Sequence, residues 1–510
     1  MTHALRLLAG PLAACVALLP FEGLTPAARI TLAVTAWMAA WWILEAVPIS
    51  ATALLPLAAF PLCGVLTAEQ ASTAYGNETI YLFLGGMLLA QSMERSGLHR
   101  RIALTVIRMT GSSSRALVFG FLFATALVSM WVSNTAATVM VLPVALATMG
   151  TVLGEAATSG DAKERNPHRV RFATALLLAI AYGANAGGMG TLIGTAPNVV
   201  FAGMVSRLYP DAPPVDFFSW FKIGFPIVLV LVPLAGLLLT RVVLRWDDKE
   251  LVLNFGTVRE EIARLGPMRP DERRTMIVFF VTAFLWILRS DLQLGLFTIP
   301  GWSRLLGEPT WVKDSTVAIA AALTLFVLPS GVERGRALLE GDWYKRVPWS
   351  VLLLLGGGFA LASAFQESGL SSWLGGQLAG VAGLPPLAIV FLVALSVSFL
   401  TEVASNTAAT TVLLPVLAAA AVPLGCHPFA LMLPCTFAAS CAFMLPAATP
   451  PNAIVFSAGL LHVRDMARAG FWVNLAGVVV IVAFTFLLGG FALGTDLWTT
   501  PDWAFEGAAR

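Results

Sequence analysis

The chain has 510 residues, 58% of them hydrophobic and only 12% charged, with a mean hydropathy of +0.81 and a formal net charge of +2. This composition excludes a soluble domain and gives no footing for nucleic-acid binding; it describes an all-α integral membrane protein. Five cysteines lie in apolar runs without a CxxC pair and read as small core residues, and five histidines are scattered without ligand spacing.

Taken in order, apolar runs of spanning length occur near 5–21, 27–46, 49–66 and 79–97. The first of these follows Arg6 like a secretory signal, but no small-x-small cleavage site follows it, so it reads as a span. The run 116–149 is interrupted by Ser133-Asn134-Thr135. The run 170–207 is interrupted near Gly194, and 220–244 completes a first half. A charged connector follows at 245–274, with Asp247, Asp248, Lys249, Glu260, Glu261, Arg273 and Arg274. The second half has runs at 275–290, 314–330 and 347–369, then 384–424 interrupted by Ser405-Asn406-Thr407. It ends with 428–460, interrupted near Thr449, and 471–493.

The interruptions repeat. Ser133 and Ser405 stand at an offset of 272 (405 − 133), and both triplets continue Ala-Ala-Thr and reach a Leu-Pro. Gly85-Gly86 and Ser96-Gly97-Leu98 return at the same offset as Gly357-Gly358 and Ser368-Gly369-Leu370. Thr195-Ala196-Pro197-Asn198 returns as Thr449-Pro450-Pro451-Asn452 at an offset of 254 (449 − 195). The lost residues correspond to the polar loop 154–169. The chain therefore divides into an N-terminal span and leader at 1–26, a first repeat at 27–244, the connector at 245–274, a second repeat at 275–493 and a tail at 494–510.

Basic residues flank both ends of the first interrupted run: Arg95, Arg100, Arg101, Arg108 and Arg115 before it, Lys163, Arg165, Arg169 and Arg171 after it. A segment with both ends on the cytoplasmic side dips in and returns. Loops 67–78 and 371–383 carry no Lys or Arg, so the second hairpin enters from the opposite face and the repeats are inverted.

A polar triplet in lipid lacks partners unless it lines a site. Broken helices expose N–H groups that suit anions and carbonyls that suit small cations, and Ser, Thr and carbonyl oxygens suit a hard cation such as Na+. Pro197 and Pro451 disrupt their helices one turn back. Glu45, Glu94, Glu367 and Glu402 lie in or near apolar runs; anchoring or capping is expected of them, with proton coupling the alternative. No nucleophile–base motif, phosphate loop or dinucleotide fingerprint is present, so an enzyme is not expected.

The paired triplets, GGMGTLIGTAPN (187–198), LPAATPPNAIVF (445–456), WWILEAVPISATALLPL (41–57) and LLLLGGGFALA (352–362) resemble the divalent anion/sodium symporter family over about residues 27–493. The resemblance implies a homodimer in the plasma (inner) membrane. It implies about eleven transmembrane helices and two re-entrant hairpins per protomer, and scaffold and transport domains working as an elevator. It implies transport of a di- or tricarboxylate such as succinate or citrate with Na+ and no organic cofactor, or sulfate transport or sodium-independent exchange in some members. Carried over by position, it implies one Na+ site at Ser129, Ser133, Asn134 and Gly194, and a second at Thr401, Ala404, Asn406 and Ala448. Substrate would meet Asn134, Thr135, Asn406 and Thr407, with Thr195, Thr449 and Pro450 lining the pocket. Two Na+ only neutralise a dianion; a third would draw about 2.3 kcal/mol per 100 mV from the membrane potential. A carboxylate sensor is the competing class, but it would need an added soluble domain.

Overall fold

The computed structural model describes residues 3–111, 113–153, 166–251, 256–293, 298–332, 335–378 and 384–509. Among them the chain is a helical bundle whose only sheet is the two-stranded ladder of Leu292–Gln293 with Thr298–Ile299. Most of the polar loop 154–169 lies outside the described residues.

Among the described residues, five helices are long and apolar enough to cross a membrane: Pro26–Leu44, Pro167–Gly190, Phe217–Val243, Trp349–Glu367 and Val463–Leu493. Their starts are set by capping chemistry. Thr25 accepts from the Ala28 N–H ahead of Pro26, and Asp216 and Ser219 cap each other reciprocally. Helices at the periphery leave apolar side chains outward, among them Ile277, Phe280 and Phe284 on Pro270–Ile287, as a lipid-facing surface requires.

Several expectations change. The run 49–66 is not one span but two short helices, Ile49–Thr52 and Leu55–Leu62, because Pro56 starts the second and Pro61 curtails it. The basic-free loops 67–78 and 371–383 hold helices Ala68–Tyr75 and Leu370–Leu378; 379–383 lie outside the described residues. Cys426, Cys435 and Cys441 are buried, but Cys15 and Cys63 are exposed, on an apolar surface where a thiol costs little.

Positions that correspond between the two halves share local backbone geometry. Gly97 and Gly369 both take left-handed φ, 77° and 76°, and each launches a helix at the next leucine, Leu98–Met109 and Leu370–Leu378. Helices Phe217–Leu237 and Val463–Phe484 start at an offset of 246 (463 − 217), and each runs into a π-helical turn, Leu238–Val243 and Thr485–Gly489.

The connector folds back on helix Leu98–Met109. Arg101 pairs with Glu272 at 2.8 Å and donates to the carbonyls of Leu265, Gly266 and Pro267, and Arg100 pairs with Glu261. At the far end of helix Pro270–Ile287, buried Arg289 bridges Asp216 at 3.0 Å and Asp314, whose Oδ2 also accepts from the Phe217 N–H at 2.6 Å. This network borders a cavity of about 530 Å³ that Glu78, Asp291, Arg304 and Lys313 also line. Trp503 packs on Tyr209, His427 and Phe429.

Candidate functional site

Helix Pro167–Gly187 is continuously buried from Phe172 to Gly187 and ends in a Gly188–Gly190 turn. The chain resumes as helix Ala196–Leu208 after Thr195. Asn198, in the resumed helix, reaches back: its Nδ2 donates to the Gly188 carbonyl at 2.9 Å and to the Thr191 carbonyl at 2.7 Å. The break cannot relax into helix because Pro197 lacks the donor, and the freed carbonyls are satisfied by this amide. Gly188 is needed here, since a Cβ would stand 2.7 Å from Asn134 Oδ1.

The second break is built in the same way. Helix Pro428–Ala439 is wholly buried, and helix Pro450–Phe456 resumes after Thr449. Asn452 Nδ2 donates to the Ala442 carbonyl at 3.0 Å and to the Leu445 carbonyl at 2.9 Å, each partner 254 positions beyond its counterpart (442 − 188, 445 − 191). Thr195 (φ −149°, ψ 150°) and Thr449 (φ −143°, ψ 152°) share one extended conformation.

Each triplet sits at a turn between helices: Ser114–Ser129 and Asn134–Leu153 for the first, Pro386–Leu400 and Asn406–Ala421 for the second. Ser129 Oγ lies 2.7 Å from Asn134 Oδ1 and 2.8 Å from the Ala184 carbonyl. A hydroxyl has one proton to give, and the Ala184 carbonyl also accepts from the Gly188 N–H, so Asn134 Oδ1 is the acceptor that a cation would suit. Gly194 stands against the Gly188 and Met130 carbonyls, beside that cluster, and the Thr191 hydroxyl also donates to the Met130 carbonyl. Ser133 is exposed, its hydroxyl accepting from the Ala136 N–H at 3.3 Å.

The second set is arranged differently. The Thr401 hydroxyl turns to its own helix, near the Val397 and Ser398 carbonyls at 3.1 and 3.2 Å. Asn406 Oδ1 is buried without a hydrogen-bond partner, an acceptor that fits a cation. Ala404 and Ala448 are half-buried; no hydrogen bond joins these four residues. Thr135 and Pro450 are exposed, Thr195 and Thr407 half-buried, and Thr449 buried.

The two halves interlock crosswise. Helix Asn134–Leu153 packs on Pro450–Phe456, and helix Asn406–Ala421 packs on Ala196–Leu208. Asn185, in the first broken helix, donates to Thr449 Oγ1 at 3.0 Å, the Ala442 carbonyl at 3.2 Å and Asn452 Oδ1 at 3.3 Å. Four helices thus begin at these turns and breaks, and each presents first-turn N–H groups with no partner inside its own helix.

Sequence reasoning missed Asn185, Thr191 and Asn474. The available signal was a lone Asn within the uncharged stretch of its helix, which holds for Asn185 and Asn474. It did single out Glu402, whose carboxylate accepts from the backbone N–H groups of Phe443, Met444 and Leu445 at 2.8–3.0 Å and from Asn474 Nδ2 at 2.7 Å. Every one of these partners is a donor, the bonding of a capping carboxylate.

Known proteins are similar to this chain in sequence and, for one solved structure, in fold. The family model described as "Sodium:sulfate symporter transmembrane region" matches residues 2–491. A "Sodium-dependent dicarboxylate transporter SdcS" of Staphylococcus saprophyticus is 41% identical over 496 residues, covering 96% of this chain and 92% of its own length. A protein of the same name from Staphylococcus aureus (strain bovine RF122 / ET3-1) is 40% identical over 480 residues, covering 94% and 88%. Among solved structures, the Alcanivorax borkumensis YdaH transporter aligns with a TM-score of 0.55 at 15% identity, covering 82% of this chain and 87% of that one. At that identity the likeness concerns the fold alone.

Proposed function

The chain belongs to the sodium:sulfate symporter family and is a multi-pass membrane transporter; from that premise we propose that it imports a C4-dicarboxylate or citrate with Na+ across the plasma membrane. The printed names of the 40–41% identical relatives support a dicarboxylate and Na+. The observation that carries the reading is the pair of polar turns locked crosswise to two broken helices, with oxygens left short of protons at both turns.

In this reading Ser129, Ser133, Asn134 and the Gly194 carbonyl hold one Na+. Thr401, Asn406 and the carbonyls of Ala404 and Ala448 hold a second. With both bound, the amides of Asn134 and Asn406 and the hydroxyls of Thr135 and Thr407 meet the substrate carboxylates, and Thr195, Thr449 and Pro450 line the pocket. Oxygen-only coordination suits a hard monovalent cation, and its charge favours the dianion beside it. The helix N-termini at the turns and breaks add the same sign of potential. Sodium-independent exchange would place a basic side chain where the cation stands; the turn 401–407 instead carries Glu402.

The proposal extends to the rest of the architecture: about eleven spans, two re-entrant hairpins in inverted repeats at 27–244 and 275–493, a homodimer, and an elevator motion of a transport domain against a scaffold. Uptake of radiolabelled succinate and citrate into proteoliposomes should require an inward Na+ gradient. Uptake unchanged in K+ or choline rejects the coupling. Asn134→Ala and Asn406→Ala should each abolish uptake while leaving a folded protein; full activity in either rejects the site.

A further inference from the structure

The two breaks share a backbone design but not a charge. At the offset of 272 that relates the triplets, Met130 corresponds to Glu402 (402 − 130). In the first break the Met130 carbonyl accepts from the Thr191 hydroxyl, and the Met130 side chain lies against Gly190. Thr191 corresponds to Leu445, which has no hydroxyl to give. There the backbone N–H of Leu445 donates to Glu402 instead, at 2.9 Å, alongside those of Phe443 and Met444.

Glu402 is 4% exposed and in no ion pair among the described residues. Its five contacts come from three backbone N–H groups and one amide, so both oxygens are committed as acceptors. A proton shuttle needs a partner that can accept, and none touches this group. With every contact a donor, the hydrogen bonds favour the ionised carboxylate, a negative charge one residue from Thr401 and two from Ala404. Its side chain also clamps the strand of backbone that leads to Ala448. The first cation set has no such group: its neighbours Met130, Trp131 and Val132 are uncharged.

We infer that Glu402 is a positioning residue that holds the second break in shape and, as a permanent counter-charge, makes the Thr401 cation set bind Na+ more tightly than the Ser129 set, so that the second set fills first. The inference rests on the functional reading above. The charge acts through low-dielectric surroundings over a short distance, where one buried charge shifts an ion's affinity by an order of magnitude or more.

The test is the thermal stability of the purified full-length protein titrated with NaCl against KCl, without substrate. Wild type should be stabilised by Na+ in two phases. Glu402→Gln keeps the size and one acceptor oxygen, and should raise the midpoint of the first phase about tenfold. Substrate half-saturation at saturating Na+ should stay unchanged, while the melting temperature in KCl falls because the Gln NH2 now faces backbone donors. A merely structural role would lower the melting temperature in KCl and leave the Na+ midpoint alone; that result overturns the inference. Should Glu402→Gln fail to fold, single substitutions in the otherwise native chain decide. Thr401→Ala should remove the low-Na+ phase and Ser129→Ala the high-Na+ phase, and equal effects overturn the ordering. A wild type that neither responds to Na+ here nor needs Na+ for uptake overturns the functional reading itself.

Discussion

Asn185 donates to Thr449, so a side chain of the first broken helix holds the cap of the second. The counterpart of Asn185 in the second half is Ala439, which can return nothing (439 − 185 = 254). Asn185→Leu should therefore disturb the second break more than its own. The loss of these bonds should cost about 1–2 kcal/mol in lipid, read as a lowered melting temperature in nanodiscs. Na+ half-saturation should rise with it. An unchanged melting curve would mean that this amide does not tie the halves together.

Asn198 and Asn452 perform one task in two places, each closing a break with two bonds from one amide. Asn198→Ala and Asn452→Ala should have matching consequences. Each leaves two buried carbonyls short of a donor, at about 1–3 kcal/mol, and each should reduce uptake in proteoliposomes at least tenfold. A severe effect in one with none in the other would show that the breaks are not mechanically equivalent.

Arg289 stands between Asp216 and Asp314, and both Arg289 and Asp314 are buried. Arg289→Met leaves Asp314 without its cationic partner and should destabilise the protein by about 3–5 kcal/mol, because a buried charge has lost its countercharge. Denaturation in detergent would measure it. Arg304→Ala, at an exposed pair with Asp291, should leave the same curve in place.

His427 caps helix Pro428–Ala439, with Nδ1 accepting from the Phe429 N–H at 3.0 Å and its ring against Trp503. Burial pushes its pKa down from 6.5 to about 4, opposed by Asp496. A proton therefore binds more readily after unfolding. Stability is full above the unfolded value of 6.5 and falls as pH drops from there towards about 4. His427→Gln should flatten this part of the profile of melting temperature against pH. An unaltered slope would place the acid sensitivity elsewhere.

The breaks were legible because their cause is local. A proline with asparagine beside it, at the same place in two copies, predicts an interrupted helix wherever it stands. The turns at Ser133 and Ser405 were legible for the same reason. Asn185 was not, because its partners lie far along the chain and no periodicity encodes them. The run 49–66 was misread because hydropathy does not register Pro56 and Pro61. Helix Leu370–Leu378 was hidden because the absence of basic residues marks a side of the membrane, not a conformation. For Glu402 the sequence offered two roles, and only the identity of its hydrogen-bond partners separates capping from proton transfer.

The π-helical turns at Leu238–Val243 and Thr485–Gly489 carry a historical consequence. A widened turn of this kind is rare. Its presence after corresponding helices in both halves is what the copying of a segment that already carried it would leave.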